Sequence, residues 1–193
     1  MMKDVILGAS HITDPSGLDH ILFLVALAAS FDLTKLGRMA LLATAFTIGH
    51  SLTLILAGID VVRAVMDMKH VEFLIPLTIV LTALLQISGL SLTSSSKFAR
   101  KSIYVFTIFF GLIHGLGFSS FYRISTSGDA GYIVPLLKFN LGVEIGQLVI
   151  LLVTLSLFSL GRALGIQERS QQLVVGGATL SLALMMAIEN WSI

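Results

Sequence analysis

Three histidines and a glutamate sit in or at the edge of apolar runs of this chain. His20 opens one run, His50 and His114 lie inside two others, and Glu144 lies within a fourth, from about Pro135 to Leu160. A charged side chain at the centre of a bilayer costs roughly 3 kcal/mol even on lenient insertion scales, so such residues call for partners. Asn140 and Glu144 are spaced i,i+4 and Gln147 follows three residues on, which puts all three on one helix face. Thr47, His50 and Ser51 share a face by the same spacing. Asp19 precedes His20 and can orient its imidazole, cap the helix or act as a ligand. The chain has no cysteine. Imidazoles with a carboxylate and no thiolate suit borderline divalent ions: Ni²⁺, Co²⁺, Zn²⁺ or Cu²⁺. His11 and Asp14, just upstream, and Glu72, at the start of another apolar run, are candidates for an entry site.

The elements that must position these residues follow from composition. Of 193 residues, 55% are hydrophobic and only 12% charged, with mean hydropathy +0.95. A soluble domain carries about twice that charge. The runs are too long and too uniformly apolar for the alternation of a β-barrel. The expectation is an all-α, polytopic membrane helix bundle, a single transmembrane domain over residues 1–193. Its six spans are at about 17–31, 38–59, 72–93, 102–121, 135–160 and 171–190. Ile21 to Ser30 has the look of a signal-peptide core. The residues before it hold one lysine against three aspartates, so it is read as a mature helix. When the spans alternate in direction at about 1.5 Å rise per residue, His20, His50, His114, Asn140 and Glu144 all fall in the middle or outer half of the membrane. One shared site explains that common depth better than five separate hydrogen bonds.

Loops after the first, third and fifth spans carry Lys35, Arg38, Lys97, Arg100, Lys101, Arg162 and Arg169, against Lys3, Arg63, Lys69, Arg123 and Lys138 on the other side. That bias places both termini outside the cytoplasm. The net charge of +1, with no basic run, gives no sign of a nucleic-acid partner. The expected partners are the lipid bilayer and a metal ion, with a homo-oligomer or an accessory metal-delivery protein left open. Met66-Asp67-Met68-Lys69-His70 reads as a solvated loop, Gln86 as a helix–helix bond, and Met185 and Met186 as packing. No strong internal repeat is evident.

Four motifs together resemble the HupE/UreJ family of bacterial membrane proteins. They are Gly17-Leu18-Asp19-His20-Ile21-Leu22-Phe23, Phe46-Thr47-Ile48-Gly49-His50-Ser51-Leu52-Thr53-Leu54, Phe110-Gly111-Leu112-Ile113-His114-Gly115-Leu116-Gly117-Phe118, and Phe139 through Gln147. Val71-Glu72 is similar to the start of the family's third segment. The resemblance implies a small helical permease of the bacterial cytoplasmic (inner) membrane for a transition metal, usually nickel. It also implies metal-handling roles for Asp19, His20, His50, His114 and Glu144, with Asn140 and Gln147 nearby. The family's usual histidine lies closer to Gly-x-Asp-His than His11 does here. Pro76 and Leu-rich sequence follow Glu72, so the third span is expected to add less to the site. Two other functions use the same residues. Three histidines and a carboxylate can hold a catalytic Zn²⁺ for an intramembrane hydrolase. Paired histidines can also serve a non-transporting metal or haem binder. An enzyme is the runner-up to transport.

Overall fold

The computed structural model describes residues 2–15, 17–58, 67–89, 97–126 and 133–191, and the side chains among them outside 97–100 and 120–126. Seven α-helices account for nearly all of these: α1 (Lys3–Thr13), α2 (Leu18–Ala28), α3 (Leu36–Gly58), α4 (Met68–Ile87), α5 (Lys97–Thr126), α6 (Ile133–Ala163) and α7 (Glu168–Glu189). There is no strand among the described residues. Met66, Arg63 and loop residues 94–96 and 127–129 lie outside the described set. Asp67 caps α4 by accepting from the Lys69 amide, so Met68, Lys69 and His70 form its first turn rather than a loop.

Among the described residues five helices, α3 to α7, are long and apolar enough to cross a membrane. The expected first span is the exception. Its helix, α2, has 11 residues, about 16 Å of rise against a hydrocarbon core of about 30 Å. It is enclosed by the longer helices instead, burying His20, Phe23, Leu24, Ala26, Leu27 and Ala28. Short helices are tolerated at membrane depth where protein covers their ends. α1 lies ahead of the first expected span. It forms because Gly8 lets it press against α6, where Ile12 is fully buried.

Two close crossings organise the bundle. In the first, α3 and α5 run parallel, with Gly49 against the Ile108 carbonyl and Gly111 against the Phe46 carbonyl. In the second, α6 and α1 run parallel, with Gly142 against the Val5 carbonyl and Gly8 against the Phe139 carbonyl. The correspondence runs residue by residue. Phe46-x-x-Gly49 matches Phe139-x-x-Gly142, and Gly111-x-x-His114 matches Gly8-x-x-His11. Even the next turn agrees: the Thr53 hydroxyl donates to Leu112 O, while Gly146 lies against Ala9 O.

The two crossings point in opposite directions. His50 of α3 stacks on Phe139, near the start of α6. Arg162, at the end of α6, donates to Phe31 O, and the Phe31 ring lies under Arg38 at the start of α3. α4 and α7, which follow α3 and α6, pack antiparallel, with Phe73 against Trp191 at one end and Arg169 on the Gln86 and Ile87 carbonyls at the other. The chain therefore contains an inverted repeat: α3–α4–α5 answers α6–α7, with the amino-terminal α1 as the missing third helix. A repeat of this kind hides from a linear reading because its last piece comes first in sequence.

Candidate metal site

The site lies where the two crossings meet. The G-x-x-H pattern carries His114 one turn past Gly111 on α5 and His11 one turn past Gly8 on α1. These two histidines are equivalent under the repeat. His20, from α2, stands between them, its ring centroid 4.7 Å from that of His11 and 5.0 Å from that of His114. His50, beside Gly49 at the crossing, is 5.7 Å from His11 and 6.2 Å from His20. Phe23, Phe46, Phe118 and Phe139 wall the group, Phe118 stacking on Phe139.

Two sets of ligand atoms come close enough to hold an ion, each within 4.8 Å: His11 with His20 and His50, and Asp19 with His20 and His114. Asp19 lies 3.0 Å from His20 Nδ1, and its other oxygen 3.8 Å from His114 Nδ1. That leaves His20 Nε2 directed elsewhere. It is buried with no partner among the described residues, as are His11 Nε2, His114 Nδ1 and both ring nitrogens of His50. Buried polar atoms are nearly always paired, so five orphaned imidazole nitrogens in one place fit a site built for a cation. A carboxylate bonded to one imidazole nitrogen while the other faces the centre is the usual outer support of metal-binding histidines.

A cavity of about 300 Å³ opens beside the group, lined by His11, Asp14, Asp19, His20, Glu72 and His114, with Ile75, Gly117 and Phe118. His50 does not line it and is fully buried. Asp14 and Glu72 line this cavity, and the ring of His11 also stands within the histidine group.

The polar face of α6 forms a separate group. Glu144 Oε1 bonds with the Thr44 hydroxyl, and Gln147 Oε1 accepts from Thr47 at 3.0 Å. Thr44 is six residues before His50, about 9 Å lower on α3. Neither set of ligand atoms includes Glu144. Asn140 Oδ1 and Gln147 Nε2 are buried without partners among the described residues, and Ser51 bonds back to Thr47 O.

The sequence offers His11 as an entry residue, and the recurrence of G-x-x-H at Gly8 and Gly111 is the signal that ties it to His114. Thr78 of α4, buried and 3.0 Å from His114 Nε2, has no such signal. A threonine in a leucine-rich span is ordinary.

The HupE / UreJ protein family matches residues 1–193, the whole chain. The protein belongs to the HupE/UreJ family. No curated protein and no solved structure matches it. In this chain the segments around Asp19-His20, His50 and His114 meet at the cluster, and the segment around Glu144 forms the neighbouring polar face.

Proposed function

We propose that this HupE/UreJ protein carries a divalent transition metal ion, nickel by preference with cobalt, zinc and copper as alternatives, across the bacterial inner membrane. The observation that carries the reading is the set of orphaned, buried imidazole nitrogens around His20. The family's association with metal transport agrees with it. The ion is substrate rather than resident cofactor. It enters from outside through the cavity flanked by Asp14 and Glu72. It exchanges its waters for Asp19, His11, His20, His50 and His114, and passes toward the polar face of Thr44, Asn140, Glu144 and Gln147 on its way to the cytoplasm. Both termini then lie outside, with α1 and α2 together carrying the chain between the two faces ahead of α3.

The inverted repeat supports movement. Transporters built from two oppositely directed halves bind substrate at the interface of the halves and expose it alternately by rocking one against the other. Here His11 and His114 belong to opposite halves and His20 stands between them. Rocking would therefore change the distances among the ligands themselves.

The test is reconstitution of the purified chain into liposomes, with nickel movement followed by mass spectrometry of the vesicle contents. Wild type is expected to move nickel down its gradient and the His50→Ala variant to be inactive. Equal nickel movement with and without protein would overturn the reading.

A further inference from the structure

Thr78 has a single hydroxyl proton and two neighbours for it. Its Oγ1 lies 2.7 Å from the Ile75 carbonyl oxygen and 3.0 Å from His114 Nε2. The carbonyl can only accept. It is also the nearer partner, so it takes the Thr78 proton. The hydroxyl oxygen must then accept from His114, which requires the proton of that imidazole to sit on Nε2. We propose that Thr78 is a positioning residue of the metal site. It locks His114 as the Nε2–H tautomer and so makes Nδ1 the atom offered to the ion. The proposal rests on the metal reading of the site and adds to it a residue on α4, the helix whose sequence promised least.

The surroundings agree. His114 Nδ1 is the ring atom left buried with no hydrogen-bond partner, and Asp19 Oδ2, at 3.8 Å, lies beyond hydrogen-bond reach of it. The Thr78 hydroxyl is anchored within its own helix, and Thr82 bonds to Thr78 O at 2.9 Å on the next turn. Pro76, inside α4, has no amide hydrogen to give the Glu72 carbonyl, and Glu72 and Ile75 of the same turn line the cavity just before Thr78. His20 is held in the opposite sense, its Nδ1 against Asp19 and its Nε2 free. Outer partners thus fix which nitrogen each of these two rings presents, and the two choices differ. A tautomer left to itself would spend part of its time with a proton where the ion must bind.

The experiment uses the full chain purified in detergent, labelled with ¹⁵N-histidine, with a His114→Gln sample to assign the His114 signals. In metal-free wild type, His114 is expected to carry its proton on Nε2 with a bare Nδ1. Thr78→Ser should keep that pattern, and Thr78→Val should lose it. Nickel affinity, measured by equilibrium dialysis against Ni²⁺ alone, should fall about 10–100-fold in Thr78→Val and stay near wild type in Thr78→Ser, the range found when outer partners of ligating histidines are removed. A wild-type His114 protonated on Nδ1, or a Thr78→Val variant with unchanged tautomer and affinity, would overturn the proposal. Failure of the wild-type protein to bind nickel would count against the transport reading. The metal-free spectra would still decide the role of Thr78.

Discussion

Adding one methyl group at Gly49 tests whether the crossing of α3 and α5 sets the site. A Cβ there would fall inside contact distance of the Ile108 carbonyl and 2.9 Å from the Leu112 amide nitrogen. Both are backbone atoms of a helix and cannot swing aside, so the two helices must part by roughly 1 Å to restore ordinary contact. Forced overpacking of this kind costs about 1–3 kcal/mol, or roughly 2–12 °C in melting temperature for a chain of this size. The larger consequence is local. His50 is the next residue, and His114 lies one turn beyond Gly111 on the partner helix. Parting the helices by 1 Å exceeds the tolerance of about 0.2 Å within which metal–ligand distances are held. Gly49→Ala should therefore lower both the melting temperature and the nickel content of the purified protein. Gly177→Ala is the control. The same methyl at Gly177, in α7, meets nothing within 4 Å, so it should leave nickel content unchanged. Melting curves by fluorescence-detected size exclusion, with nickel by mass spectrometry, read both effects. A Gly49→Ala protein that melts with wild type and holds wild-type nickel would refute the argument that backbone contact at this crossing positions the histidines.

Three further outcomes are expected. His50→Ala and His11→Ala should each weaken nickel binding by more than the roughly 10–100-fold of an outer-partner change, measured by dialysis; an unaltered His11→Ala protein would remove that residue from the ligand set. Glu144→Gln should leave nickel stoichiometry intact, because the carboxylate bonds with Thr44 away from the histidines, but should slow transport in liposomes. Asp32 caps the turn that leads into α3 by accepting from Thr34, whose hydroxyl bond holds the Asp32 carboxyl below its usual value. Its folded value lies below its unfolded one, so the stabilisation is present at neutral pH and is lost as pH falls through the acid range, below about 4. Asp32→Ala should cost about 1 kcal/mol at pH 7 and flatten that part of the pH–stability curve.

What the sequence determined by itself was the class of the molecule and which polar residues lie within its apolar runs. Charge at half the usual fraction and repeated long apolar runs demand membrane helices, because lipid offers no partner for a bare backbone. Polar residues inside those runs are costly enough to stand out individually. His20, His50 and His114 converge as their common depth implied, and α3 to α7 lie close to the expected limits. Tertiary structure alone decided three things. The first is α2, apolar enough to read as a span yet too short to be one: hydropathy does not distinguish lipid from protein as the apolar neighbour. The second is the inverted repeat, whose third helix is supplied from the opposite end of the chain, so no linear period reveals it. The third is the division of the polar residues between a histidine cluster and the Glu144 face, together with the recruitment of His11 and Thr78. Helical spacing predicts which side chains share a face of one helix. Which face of another helix they meet depends on the close approach that Gly8, Gly49, Gly111 and Gly142 permit, and that approach is a property of pairs of helices.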